Sequence, residues 1–175
     1  GRDITTTLSI RTLTHLTGRR LGASVPAGDS VGQQHALKEQ VVVTCPYVSV
    51  DLVHPDGSRV PLYGPNPHGI ASFDSKGHYV LLTARADQPK FASNNRAEGT
   101  SEENKAVVQG SIAHFGTYTV NEADKTVTFH IETSTFPNWN GTEQKRPITL
   151  TGDELKWRTA ASSGGTGDEI LKRVT

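Results

Sequence analysis

Ile112-Ala113-His114-Phe115-Gly116-Thr117-Tyr118-Thr119-Val120, then Asn121-Glu122-Ala123-Asp124, then Lys125-Thr126-Val127-Thr128-Phe129-His130-Ile131-Glu132-Thr133-Ser134 is the stretch on which the fold turns. Two runs of β-branched and aromatic residues flank a cluster that tolerates bent backbone, the pattern of an antiparallel hairpin. In the second run Val127, Phe129 and Ile131 share one face, and Thr128, His130 and Glu132 the other. If Val120 stands opposite Lys125, then Ile112, His114, Gly116 and Tyr118 join the apolar face.

Outward from this hairpin the same grammar repeats. His54-Pro55-Asp56-Gly57, Asp74-Ser75-Lys76-Gly77 and Thr151-Gly152-Asp153 are further turn clusters. They delimit expected strands near 42–53, 58–63, 68–74, 78–85, 112–120, 125–135, 143–150, 154–159 and 168–174. Eight or nine antiparallel strands favour an all-β, closed or nearly closed barrel, because closure removes exposed edges. One helix is expected: Thr100-Ser101-Glu102-Glu103 is a capping box, and Gly110 is the expected stop. So short a helix needs packing, most simply across an open end of the barrel. Residues 1–40 lack this grammar and are expected to be an N-terminal extension, partly loop, before a barrel over 41–175.

The segments Tyr63-Gly64-Pro65-Asn66-Pro67-His68-Gly69, Pro89-Lys90-Phe91-Ala92-Ser93, His114-Phe115-Gly116-Thr117-Tyr118 and Phe136-Pro137-Asn138-Trp139 occur in an order that resembles the bacterial and fungal lipocalin-like domain family. The resemblance runs from about Val42 to Thr159. It implies a small antiparallel barrel, in genomic company with natural-product or catabolic enzymes. Family members open their first strand with a Gly-Thr-Trp-like signature. Here Val43-Thr44-Cys45 stands in that place, and Leu16 to Leu21 is a weaker echo of it.

Charge and composition remove several classes of function. Lys plus Arg and Asp plus Glu each number 18, so no net field draws the chain to nucleic acid or an anionic membrane. No apolar run approaches the ~20 residues that span a bilayer. Cys45, the single cysteine, excludes an intrachain disulfide and is expected to pack as a small hydrophobe. A cytoplasmic setting is expected, with a secreted one left open by the Gly1-Arg2 start. No cofactor is implied. A metal site is not expected either, since His130 and Glu132 lack a third ligand.

Candidate chemistry is sparse and admits alternatives. Gly28-Asp29-Ser30-Val31-Gly32 has the form of a nucleophile elbow beside His35, but the parallel sheet such a motif needs is not expected here. His130 and Glu132 either face the barrel interior as base and acid, or decorate the exterior or a subunit contact, which leaves a homodimer open. His114 and Tyr118 are interior on the hairpin pairing above, as catalytic groups or as satisfied core residues. Ile148 and Leu150 should face inward, and alternation places Gln144 and Arg146 with them. A buried guanidinium needs a counter-charge, so either Glu132 or a ligand neutralises Arg146, unless its head reaches water at the rim. Phe73, Tyr79, Phe129 and Trp139 are expected as core or as walls of a ligand pocket. Three functions follow: a cofactor-independent isomerase or cyclase acting on a small hydrophobic oxygenated molecule, a carrier of such a molecule, or an interaction module with a filled centre.

Overall fold

The computed structural model describes residues 36–174, and the Ser30 elbow therefore lies outside the described residues. Nine strands follow one another: β1 (Thr44–Val53), β2 (Arg59–Pro61), β3 (His68–Phe73), β4 (His78–Ala84), β5 (Ser111–Asn121), β6 (Thr126–Ser134), β7 (Glu143–Thr151), β8 (Glu154–Ala160) and β9 (Thr166–Lys172). Each of β3 to β8 pairs antiparallel with its successor, and β1 pairs with both β3 and β9. Eight strands therefore close a barrel, with β2 as a short ninth along the far half of β1. The turns fall where the sequence places them, and the strands match the expected spans within a few residues.

One end of the barrel, here called the floor, carries the β3–β4, β5–β6 and β7–β8 turns. The opposite end, the mouth, carries the long 85–100 connection, the helix α2 (Ser101–Gln109) and the 3-10 turn Pro137–Trp139. The capping box of α2 forms as expected, with the Thr100 hydroxyl accepting from the Glu103 N–H and the Glu103 carboxylate accepting from the Thr100 N–H. No side chain of α2 is fully buried. The buried plug is at the floor instead, in a helix the sequence reading did not anticipate: α1 (Leu37–Val41) buries Leu37 and Val41 in the core. Glu122 in the β5–β6 turn fixes it by accepting from the backbone N–H groups of Leu37 and Lys38 at 3.0 and 2.9 Å. Those groups are otherwise orphaned at a helix start.

The decisive hairpin pairs Val120 with Val127, two residues from the expected register. Lys125 takes a left-handed conformation (φ 55°) and belongs to the turn. A shift of two preserves every facing, so Tyr118 meets Phe129 and Gly116 meets Ile131 on the inside. Between Phe115 and Gly116 the pairing slips, leaving Glu132 as an extra residue in β6. Gly116 is required at this bulge, since a Cβ there would collide with the His130 carbonyl oxygen.

Candidate functional site

Alternation along the strands gives the barrel an interior of Tyr47, Phe73, Tyr79, Phe129 and Trp157 in mutual contact. Ring centroids lie 4.7 Å apart for Tyr79–Phe129, 5.6 Å for Phe129–Trp157, 5.9 Å for Phe73–Trp157 and 6.4 Å for Tyr47–Trp157, mostly edge to face. Within this aromatic box sits Arg146, 2% exposed, as β7 alternation with Ile148 requires. Its guanidinium carbon stands 4.5 Å from the Phe129 centroid and 5.5 Å from that of Trp157, in cation–π range.

The counter-charge is Glu169, not Glu132. Arg146 Nη1 donates to Glu169 Oε2 at 3.0 Å, and Nη2 donates to Gln144 Oε1 at 2.8 Å. Glu132 cannot serve, because it faces outward at the bulge and is exposed. The arrangement with His130 and Glu132 inside is thus not the one adopted: the apolar face of β6 points inward, and His130 Nδ1 instead pairs with Glu143 at 2.8 Å on the outer surface. Both line an open outer cleft of about 280 Å³ together with Thr117 and Thr142. A second open cleft, of about 340 Å³, includes Arg59, Lys156, Arg158 and Asp168, in which Asp168 already pairs with both arginines.

His114 and Tyr118 do face inward. The Tyr79 hydroxyl and His114 Nδ1 share a hydrogen bond of 2.7 Å, while the Tyr118 hydroxyl donates to the Asp74 carbonyl oxygen at the floor. Burial, with the nearby Arg146 charge, pushes the His114 pKa down to about 3, so the imidazole is neutral at physiological pH. Burial likewise holds the Glu169 carboxyl above its ordinary range, only partly offset by Arg146. Toward the mouth, Gln144 and Thr159 are half-buried, and Trp139 packs edge-on against His114 (5.8 Å) and Phe136 (5.5 Å).

Four interior polar atoms have no hydrogen-bond partner among the described residues: Tyr47 Oη, Thr83 Oγ1, Arg146 Nε and Trp157 Nε1. Every one can donate, and two can do nothing else. Sequence reading missed Tyr47, Trp157 and Glu169, although parity with Cys45, Leu155 and Leu171 puts all three inside. Cys45 is buried and its thiol pushed up by burial, consistent with a packing role. Among the described residues no three His, Cys, Asp or Glu side chains converge in a metal-ligating group.

Residues 47–172 match the lipocalin-like domain family. The chain belongs to that family. A relative of this lipocalin-like domain is the 4'-hydroxy-3'-methoxypropiophenone carrier protein ppsC of Aspergillus oryzae, 31% identical over 81 residues, which are 43% of this chain and 73% of the relative. Among solved structures, a redesigned β-barrel aligns with a TM-score of 0.42 at 16% identity, covering 80% of this lipocalin-like chain and 96% of its own. The small-molecule expectation therefore has a relative named as a carrier beside it, and no helix among the described residues is long and apolar enough to cross a membrane.

Proposed function

We propose that this lipocalin-like domain binds and carries a small, aromatic, oxygenated molecule within its barrel. The observation that carries the reading is the set of buried, unpartnered donors in an aromatic box: a buried polar group without a partner costs about 1–3 kcal/mol, and a ligand oxygen would remove that penalty. Flat aromatic walls recognise a flat ring, while Trp157 Nε1, Arg146 Nε and the Tyr47 hydroxyl recognise oxygens on it. The named cargo of the Aspergillus relative, an oxygenated aryl ketone, has both features. Entry is at the mouth, where Trp139, Gln144 and Thr159 are only half-buried and the floor is plugged by α1.

A second reading, a cofactor-independent isomerase or cyclase, is favoured by one pairing: Glu169, whose carboxyl is raised by burial, faces the same interior as the neutral His114 bound to Tyr79. Two groups with oppositely perturbed acidity can hand a proton across a bound molecule. Titrating the protein with 4'-hydroxy-3'-methoxypropiophenone while following tryptophan fluorescence tests the binding reading. Saturable quenching in the micromolar range, with the compound recovered unchanged, is the expected result. Recovery of an isomerised or cyclised product would shift the assignment to the enzyme, and no saturation up to about 1 mM would remove both readings for this class of compound.

A further inference from the structure

The charges inside the barrel already balance. Arg146 and Glu169 are in contact at 3.0 Å with side-chain exposures of 2% and 9%, and the groups around them are uncharged. From β1 comes Tyr47, from the segment after β2 Tyr63, from β4 Tyr79, from β5 His114 and from β7 Gln144. Each tyrosine is held in its neutral phenol form by burial, and the imidazole is neutral as well. A carboxylate placed beside Arg146 would therefore bring a second buried negative charge to a single positive one. Burying an ion without its own counter-charge is among the costliest things a protein interior can do.

The unpartnered atoms point the same way. Arg146 Nε and Trp157 Nε1 are obligate donors, and Tyr47 and Thr83 present hydroxyls. Among the fully buried side-chain atoms left without a partner in the described residues, none is an obligate acceptor. A ligand that offers acceptors and no charge completes this set.

Resting on the binding reading above, we infer that the interior selects for ligand charge: it accepts a neutral aryl ketone or aryl ether through its oxygens and rejects the arylcarboxylate of the same shape. Glu169 is the residue that sets this choice, since it consumes the positive charge that an anion would otherwise use. A carboxylate can be admitted without an unpaired buried charge only together with a proton, taken up by Glu169 as the anion enters or carried in by the acid itself, two routes that Glu169→Gln separates. Burial, which already favours the protonated carboxyl, makes uptake by Glu169 easier as pH falls.

A matched pair of probes, 3',4'-dimethoxyacetophenone and 3,4-dimethoxybenzoate, tests the inference, because they are similar in shape and differ in charge. Calorimetric titration at pH 7.5 should show the ketone binding saturably and the benzoate about 100-fold more weakly or beyond detection. Between pH 8 and pH 5.5 the ketone affinity should stay flat. Over the same range the benzoate affinity should rise as pH falls, with about one proton taken up per molecule bound, read from the buffer dependence of the heat. In Glu169→Gln the amide keeps an acceptor for Arg146 while the negative charge is gone. The affinity of benzoate relative to the ketone should then increase about 10-fold or more. Should that variant fail to bind the ketone, the unmodified protein's affinity ratio and proton uptake still decide. Benzoate binding as tightly as the ketone at pH 7.5 without proton uptake overturns the charge-selection inference and leaves the binding reading standing. If neither probe binds, both fall together.

Discussion

Replacing Arg146 with methionine should destabilise the barrel by about 3–5 kcal/mol at pH 8, because it strands the carboxyl of Glu169, nine-tenths buried, without its 3.0 Å partner. Loss of the stacking on Phe129 adds about 1 kcal/mol. The penalty has a ceiling that follows pH, since a stranded carboxyl can take up a proton. Burial raises the Glu169 pKa above its ordinary 4.5, and removing Arg146 removes the one influence that lowers it. Between 4.5 and that raised value Glu169 binds more protons in the folded variant than in the unfolded chain, so its contribution to stability increases as pH falls. Between the Glu169 pKa of the parent and the higher one of the variant, each unit by which pH falls should narrow the deficit of Arg146→Met relative to the parent by up to about 1.4 kcal/mol. Combining Arg146→Met with Glu169→Met removes the buried charge altogether and should recover most of the loss, as apolar replacement of a buried pair commonly does. Urea unfolding followed by the fluorescence of Trp139 and Trp157, the only two tryptophans, reads all of these quantities. A single variant within 1 kcal/mol of the parent at pH 8, or a deficit that does not change with pH, would refute the account of Glu169 as a charge held in place by Arg146.

Two further outcomes follow from the same interior. The unfolded chain protonates His114 near 6.5 and the folded one only near 3, so stability should fall as pH drops through that window, by on the order of 4 kcal/mol in all; His114→Gln should flatten this acid limb in pH-dependent unfolding. Gly116→Ala forces a methyl group toward the His130 carbonyl oxygen and should cost about 1–3 kcal/mol in urea unfolding, with hydrogen exchange accelerated at the β5–β6 bulge.

The barrel was legible in the sequence because its information is local. Each turn announces itself in three or four residues, and the facing of β5, β6 and β7 follows from alternation that survives a two-residue slip in register. Arg146 was legible for the same reason: Ile148 and Leu150 fix its side of the sheet. Its partner was not, because Glu169 comes from β9 and no sequence rule connects two inward residues on strands that do not pair. Glu132 was one of the alternatives for Arg146, beside a ligand and the open rim, and the bulge at Gly116 turned that residue away. The α1 plug escaped notice because five residues carry too short a pattern to read, and the carboxylate that fixes them lies more than eighty residues along the chain.

The pairing of β1 with β9 also governs when this molecule can exist. All the pairings from β3 to β9 link neighbours in sequence, so that sheet can assemble stepwise as the chain lengthens. The seam alone joins Tyr47 to Leu171 across more than a hundred residues, and Glu169, half of the interior charge pair, lies on its late side. During synthesis the curved sheet must wait with its aromatic face open and Arg146 uncompensated until the last strand is made. Such long-range closure slows folding and prolongs exposure of apolar surface. The step that seals the barrel is therefore the same step that balances its charge, so a chain halted before β9 has neither a closed wall nor a neutral interior.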